Sequence, residues 1–405
     1  MRDRVAPTGN GGTQVRICSN RWSWIAGAAL AILPLVATAQ ELVVGMLGSL
    51  KNPLVASSTK QLDLGTTVYF QDLNSRGGIG GRKVRVVFRD DEFTGDGAIK
   101  AAAELLDEQK AVVLLNTVGG AGPTAFGKAG SLTERNAAVV GTFTGNPTVH
   151  AVQNVFPVRA NYKQEYASIV RQMLNMGIQR VGVLYFNVAL GPPSARLMSE
   201  PDADPDGIVK AGRVTWIGSE GYDVSPDPAV QAANIKAAVT RLGKAKPQAV
   251  VLFAVGSSVP VALRAIHSEL GPQIVRISMS VNSVQEISRD LGEDEARGIV
   301  FSQAIPYPQD SNRRIVREYL AAMKKFAPSE APSYQSLEGF MNAKVAAEAM
   351  RRARPTINSA TVVKALSTLG RFDLGDLVVN FSPERKIVET NSDVVILGPK
   401  GRLVR

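Results

Sequence analysis

Few residues in this chain are equipped for covalent or metal chemistry. It has two histidines, His150 and His267, and one cysteine, Cys18. His267 falls on a helical stretch, 259–270, where a place on the helix surface is expected. His150 follows the Asn146-Pro147 turn and reads as a surface-loop histidine. There is no second thiol, no histidine pair at metal spacing and no phosphate loop, so thiol-nucleophile, zinc and nucleotide chemistries lack their parts. The acid run Asp90-Asp91-Glu92 invites a metal. A calcium loop, however, alternates its ligands and turns on a glycine at its sixth position, and this run does neither. Strand-end or helix-capping acids are expected instead. The cluster Gly77-Gly78-Ile79-Gly80-Gly81 follows a helix and precedes a strand, the wrong order for a phosphate cradle.

What remains is a chemistry of binding. Two polar, glycine-bearing turns, 116–122 and 141–147, each follow a short apolar run, 111–115 and 137–140. A helical segment, 123–135, lies between them. Short apolar strands buried on both faces belong to parallel sheets, and parallel strands need a crossover helix. Both turns therefore sit at carboxyl ends of neighbouring strands, where open α/β sheets bind ligands. The first turn also feeds a helix whose leading N–H groups have no partner within the helix, which suits an anionic or carbonyl oxygen.

The elements that position these turns repeat along the chain. Strands are expected at 41–47, 84–88, 180–186, 213–217, 249–255, 274–279 and 299–305. Helices are expected at 57–75, 98–109, 162–176, 228–242 and 259–270. A Pro/Asp-rich insertion, 201–207, breaks this rhythm. The last hundred residues change character. Helices at 313–326, 337–352 and 359–369 follow one another without intervening strands, so they must cover a sheet already built. Short strands follow at 377–381, 387–389 and 394–397. A chain of 405 residues with 45% hydrophobic content fits two α/β units.

The formal charge is +10. Lys and Arg are scattered among acids, with no dense basic run, so a solvated basic surface is expected rather than a nucleic-acid interface. Arg2, Arg4, Arg16 and Arg21 precede the apolar run 24–36, and Ala37-Thr38-Ala39 then places small residues where a signal peptidase reads them. The run is about 13 residues long and contains Pro34, too short to span a bilayer comfortably. Residues 1–39 are expected to be an export signal cleaved after Ala39. A chain exported without Cys18 has no thiol and no disulfide.

The order of these pieces resembles the type I periplasmic binding proteins, specifically the branched-chain amino acid (Leu/Ile/Val) binding class of ABC-transporter receptors. The resemblance is carried by LVVGMLGSL, LGTTVYFQDLNSRGGIGGRKVRVVFRDD, VVLLNTVGGAGPTA, GTFTGNP, VFPVRANYKQEYASIV, RVGVLYF, PQAVVLFA, GIVFSQAIPYP and SLEGFMNAKVAAEAM. It implies two Rossmann-like α/β lobes joined by three hinge segments, a Venus flytrap. Lobe I would hold 40–159 and 306–381, and lobe II 160–305 and 382–405. It implies ligand contacts from Gly119, Gly120 and Ala121, then from Phe143, Thr144 and Asn146, with Lys51 and Tyr162 beside them. In the second lobe it implies Phe186, Asn187, Ser278 and Ser280. Where amino-acid binders carry an acid facing the ligand ammonium, this chain has Ser278-Met279-Ser280-Val281-Asn282. Glu338 then either supplies the missing partner for an ammonium or is a helix-start acid favoured by the dipole. In the second case the ligand is neutral or anionic, held by backbone N–H groups and Thr144, with Lys51 or Arg159 in support.

The function implied is a non-enzymatic periplasmic receptor. It captures an amino acid, amide or organic acid between its lobes and delivers it to the membrane permease of an ABC importer. It would act as a monomer, without a cofactor, metal or nucleic acid. A ligand sensor on the same fold, or a carboxylate-based hydrolase, are the alternatives. The exported protein should begin at Gln40. Intact-mass spectrometry of the periplasmic fraction checks this, and residues retained ahead of Ala39 would refute it.

Overall fold

A computed structural model describes residues 11–12, 40–188, 191–389, 393–399 and 402–404. The leader's apolar run, its cleavage site and Cys18 lie outside the described residues. The first sheet is built from β1 (Leu42–Gly48), β2 (Val84–Asp90), β3 (Val113–Val118), β4 (Val139–Phe143) and β5 (Val155–Phe156). Its order is β2-β1-β3-β4-β5, and every neighbouring pair is parallel. β1, β3 and β4 are buried along their whole length, as expected of strands covered on both faces.

The second sheet repeats the plan with β6 (Arg180–Phe186), β7 (Thr215–Tyr222), β8 (Ala249–Phe253), β9 (Val275–Ser278) and β10 (Val300–Gln303). A small antiparallel sheet follows in the chain, made of β11 (Gly370–Asp373), β12 (Val378–Phe381) and β13 (Lys386–Glu389). The chain then returns to the second sheet as β14 (Asp393–Leu397) and β15 (Leu403–Val404), both antiparallel, giving the order β15-β14-β10-β9-β8-β6-β7. The protein thus has two α/β lobes, and both sheets lie within one unit, Ala39–Arg405.

The late helices cover the first sheet. Tyr334–Arg352 packs against the helix Ala56–Ser75 and against β3 and β4. The two helices approach so closely that only glycine fits. A Cβ on Gly65 would stand 1.7 Å from the Ser336 carbonyl oxygen, and one on Gly339 would stand 2.1 Å from that of Leu62. A buried polar chain runs beside this contact. Asn342 Nδ2 donates to Asn116 Oδ1 at 2.8 Å, Asn116 Nδ2 to Thr66 Oγ1 at 2.6 Å, and Thr66 Oγ1 to the Gly339 carbonyl at 3.1 Å. Asn116 takes a left-handed φ of 61° within β3, a conformation Asn tolerates better than most residues.

Several boundaries differ from the sequence expectations. The helix expected at 123–135 is two, Ala121–Ala129 and Ser131–Glu134, broken at Gly130 with φ 65°. The insertion 201–207 holds a single 3-10 turn, Pro201–Ala203. β11 was not expected at all; its alternating half-buried pattern gives little apolar signal. His150 is buried rather than on the surface, and its Nε2–H donates to the Thr144 carbonyl at 2.7 Å. Burial pushes its pKa down to about 4.

Replacing Gly339 by Ala should cost about 3 kcal/mol or more, because the methyl meets backbone rather than a movable side chain. The urea midpoint of unfolding measures this; an unchanged midpoint would mean that the helix pair can separate freely.

Candidate functional site

A cavity of about 760 Å³ opens between the carboxyl ends of the two parallel sheets. The first lobe contributes the loops after β1, β2, β3 and β4, and the second the loops after β6, β8 and β9. Both sheets reverse their winding there, at β1/β3 and at β6/β8. Such switch points leave a crevice between loops that diverge to opposite faces.

The first-lobe wall is organised by carboxylates that do not reach the cavity. Asp90 accepts from Ser49 Oγ and from the backbone N–H groups of Leu50, Lys51 and Glu92, all between 2.8 and 3.2 Å, and so folds the β1 loop onto β2. Asp91 is buried and accepts from the Phe93 N–H at 2.9 Å. Burial raises the Asp91 pKa to about 6, against the pull of that hydrogen bond. No group of three or more His, Cys, Asp or Glu that could hold a metal occurs among the described residues. Glu92 and Phe93 both take left-handed φ, 54° and 58°, and this turn lays the Phe93 ring on Gly119. Gly119 has φ 71°, and a Cβ there would stand 2.8 Å from the ring. Non-glycine residues held in this region are strained, and such strain gathers where a ligand site needs it.

Gly120 caps the helix Ala121–Ala129, so its first N–H groups face the cavity end of β3 with no side-chain cap. Thr144, after β4, shares a hydrogen bond of 3.3 Å with the Tyr162 hydroxyl. Gly145 lets the chain pass Tyr162, since a Cβ there would be 2.5 Å from the ring. Across the cavity stand Phe186 and Phe253, with the Tyr162 ring edge-on to Phe253 at 4.9 Å. Ser194 lines the same wall. It is fully buried, and its Oγ has no hydrogen-bond partner among the described residues.

Seven of the residues singled out in the sequence line this cavity: Gly119, Gly120, Ala121, Phe143, Thr144, Tyr162 and Phe186. Six do not. Lys51 is exposed, its Nζ 4.0 Å from Glu92. Asn146 caps the turn Pro147–His150 through Thr148. Asn187 donates to Asp223 at 2.7 Å. Ser278 Oγ is fully buried and accepts from Asn282. Ser280 and Glu338 belong to a different cluster, centred on Arg159. The sequence reading passed over Phe93, Ser194 and Phe253. The strand-end rule that found Phe143 would have found Phe253, the last residue of β8.

Arg159 is 1% exposed. Its guanidinium lies 3.3 Å from Glu338 Oε2 and 4.0 Å from Glu165 Oε1, donates to Ser280 Oγ, and sits 4.9 Å above the Phe143 ring centre. Glu165 accepts further from Ser280 N–H, Ser280 Oγ and Ser302 Oγ. Glu338 has no comparable set of donors. Glu338 is thus more than a dipole-favoured helix acid: it is buried against Arg159 and does not line the cavity.

Burial raises the Glu338 pKa to about 7, with Arg159 pulling it down and Glu165 pushing it up. The unfolded chain releases this proton near 4.5. The folded state thus binds one more proton between those values. Its stabilisation is complete below pH 4.5 and is lost as pH rises through 7. Between pH 4.5 and 8 the native protein should lose on the order of 3 kcal/mol relative to Glu338→Gln, which has no proton to lose. Urea unfolding of both proteins across that range measures the difference; parallel stability curves would refute the assignment.

The architecture has known counterparts. A profile of the periplasmic binding protein family matches residues 24–401. A substrate-binding periplasmic protein from Ralstonia solanacearum is 26% identical, with TM-score 0.77 over 90% of this chain and 99% of its own. An extracellular ligand-binding receptor from Verminephrobacter eiseniae is 24% identical, with TM-score 0.78 over 90% of this chain and all of its own. A possible leucine/isoleucine/valine-binding protein from Rhodopirellula baltica shares the fold at 21% identity and TM-score 0.77, over 91% and 97% of the two chains. No curated protein matches. With both sheets, the interlobe cleft and the family profile in agreement, the chain belongs to the type I periplasmic binding proteins, leucine/isoleucine/valine-binding class.

Proposed function

We propose that this protein is the solute receptor of an ABC importer, exported to the periplasm, where it captures one small organic molecule between its lobes and presents it to a membrane permease. The cavity lined by strand ends of both lobes carries this reading. A ligand that touches both walls makes all its contacts only when the lobes are close, so binding favours the closed arrangement. The lobes would move about three crossings, near Arg159, near Ile305 and between β12 and β14.

A binding role fits the chemistry of the wall. The polar groups around the cavity are backbone N–H groups, hydroxyls, the Asn282 amide and rim charges, and no nucleophile–base pair is found among the described residues that line it. The ligand should leave unchanged.

A bound ligand at a hundredfold its Kd stabilises the folded state by about 2.7 kcal/mol, which raises the melting temperature by a few degrees. Small-angle scattering of the same sample should show a smaller radius of gyration, with one ligand per chain by calorimetry and the ligand recovered intact. A ligand that stabilises without compaction, or is converted, would overturn the proposal.

A further inference from the structure

We propose that the cluster around Arg159 is a proton-operated lock on the crossing between the lobes: with a proton on Glu338 the lobes hold together, and loss of that proton favours their opening. This rests on the reading above that the lobes move about this crossing.

The geometry sets two carboxylates from different lobes on one guanidinium. Glu338 belongs to the helix Tyr334–Arg352, which covers the first sheet, and stands 3.3 Å from Arg159. Glu165 belongs to the helix Tyr162–Asn175, which packs on β10 and β14 of the second sheet, and stands 4.0 Å from the same guanidinium. All three side chains are buried. The two acids are unequally supplied with donors. Glu165 accepts from the Ser280 N–H at 3.2 Å, from the Ser280 hydroxyl at 2.8 Å and from the Ser302 hydroxyl, all groups of the second lobe. Among the described residues, Glu338 accepts from Arg159 alone.

Protonation decides what this geometry costs. With Glu338 neutral, Arg159 and Glu165 balance and no buried charge is in excess. With Glu338 ionised, one negative charge is in excess where water is excluded, and the two carboxylates repel each other across the crossing. Both penalties fall when the lobes part and water enters. The lobes are in touch in this structure. Leu54, in the loop after β1, lies so near Gly256, after β8, that a Cβ there would meet it at 2.4 Å. In this arrangement burial holds the Glu338 pKa at about 7. Hydration in an open form returns it toward the ordinary carboxylate range. Closure therefore takes up a proton; it is favoured at low pH and weakened as pH rises through 7.

The charges that shift Glu338 are those of Arg159 and Glu165. β3 and β4, packed against its helix, carry no titratable side chain. The neighbouring helices bring Asp63, Tyr69 and Asp72 from Ala56–Ser75, Tyr319 from Arg314–Phe326 and the exposed Lys364 from Ser359–Ser367, and none of these is among its perturbers. Beside Arg159, His150 is neutral above about 4, and Lys386 loses its proton near 8. On the cleft wall, Asp91 titrates near 6. Lys386 and Asp91 are thus the two competing sources of a pH response.

Spin labels at Lys128→Cys and Arg289→Cys, exposed positions on opposite rims of the cleft, report the lobe separation of the ligand-free mature protein by pulsed electron resonance. The ratio of wide to narrow separations should rise about fivefold or more between pH 5.5 and 8. Glu338→Gln, which is neutral throughout, should keep the low-pH ratio at both. Asp91→Asn and Lys386→Gln should each retain the native response, and they decide the point should Glu338→Gln fail to fold. A response that survives Glu338→Gln, or that vanishes in Asp91→Asn or Lys386→Gln, would overturn the lock. A separation indifferent to pH in the native protein would also overturn it, and it alone; the receptor reading falls only if ligand binding leaves the separation unchanged as well.

Discussion

The buried guanidinium of Arg159 is the interaction on which the arrangement of the two lobes turns. Arg159 lies just after β5 and before the helix Tyr162–Asn175, where the chain leaves one sheet for the other. Its partners come from both sides of that crossing. Glu338 belongs to the helix covering the first sheet, while Glu165 and Ser280 belong to the second lobe. Burying a charge costs several kcal/mol unless it is well paired, so these partners cannot part cheaply. One guanidinium between two carboxylates leaves one negative charge in excess. A proton on Glu338 removes that excess, which is why burial drives this carboxyl toward neutrality.

The same helix that carries Glu338 is seated by a steric constraint. Gly339, its immediate neighbour, lets the helix meet Ala56–Ser75 at backbone contact. Asn342, one turn on, joins the polar chain through Asn116 to Thr66. Within five residues the helix is fixed against the first lobe and aims a carboxylate at the crossing. Position along the helix is therefore set by backbone contact and hydrogen bonds, which tolerate little sliding, rather than by apolar packing alone.

What was legible in the sequence follows from how each feature is encoded. Strands such as Ala249–Phe253 are continuous apolar runs, and turns such as 116–122 are glycine-rich, so both could be placed and oriented. Five of the cavity residues, Gly119, Gly120, Ala121, Phe143 and Thr144, lie in the two turns placed by a single rule, that parallel strands present their carboxyl ends to a ligand, while Tyr162 and Phe186 came from the family resemblance. Long-range pairing is not encoded locally. Nothing near Glu338 shows that Arg159, 179 positions away, will take its charge. Phe93 was hidden for a related reason. It follows three acids that look like a solvated strand end, and only the fold shows that Asp90 and Asp91 are consumed in bending the loop. Ser194 was illegible because a lone serine in a short helix carries no pattern.

Cleft and crossing meet at Phe143. One face of this residue lines the cavity, and the Arg159 guanidinium lies over its ring at 4.9 Å. A cation held over an aromatic face gains about 0.5–2 kcal/mol, more when water is excluded. The ring also separates the charge of Arg159 from whatever fills the cavity, which explains how a cleft with a buried arginine directly behind it can keep an aromatic wall. Tyr162 makes a second connection. Its hydroxyl reaches Thr144 beside Phe143, while its ring packs on Phe253 of the second lobe. Lobe closure is governed only by contacts that differ between open and closed states. Phe143 and Tyr162 are the cavity residues whose neighbours include both the ligand space and the groups that hold the crossing. In the receptor proposed above, a ligand pressing on those two rings would act on the crossing directly, with no need for a longer path through either lobe.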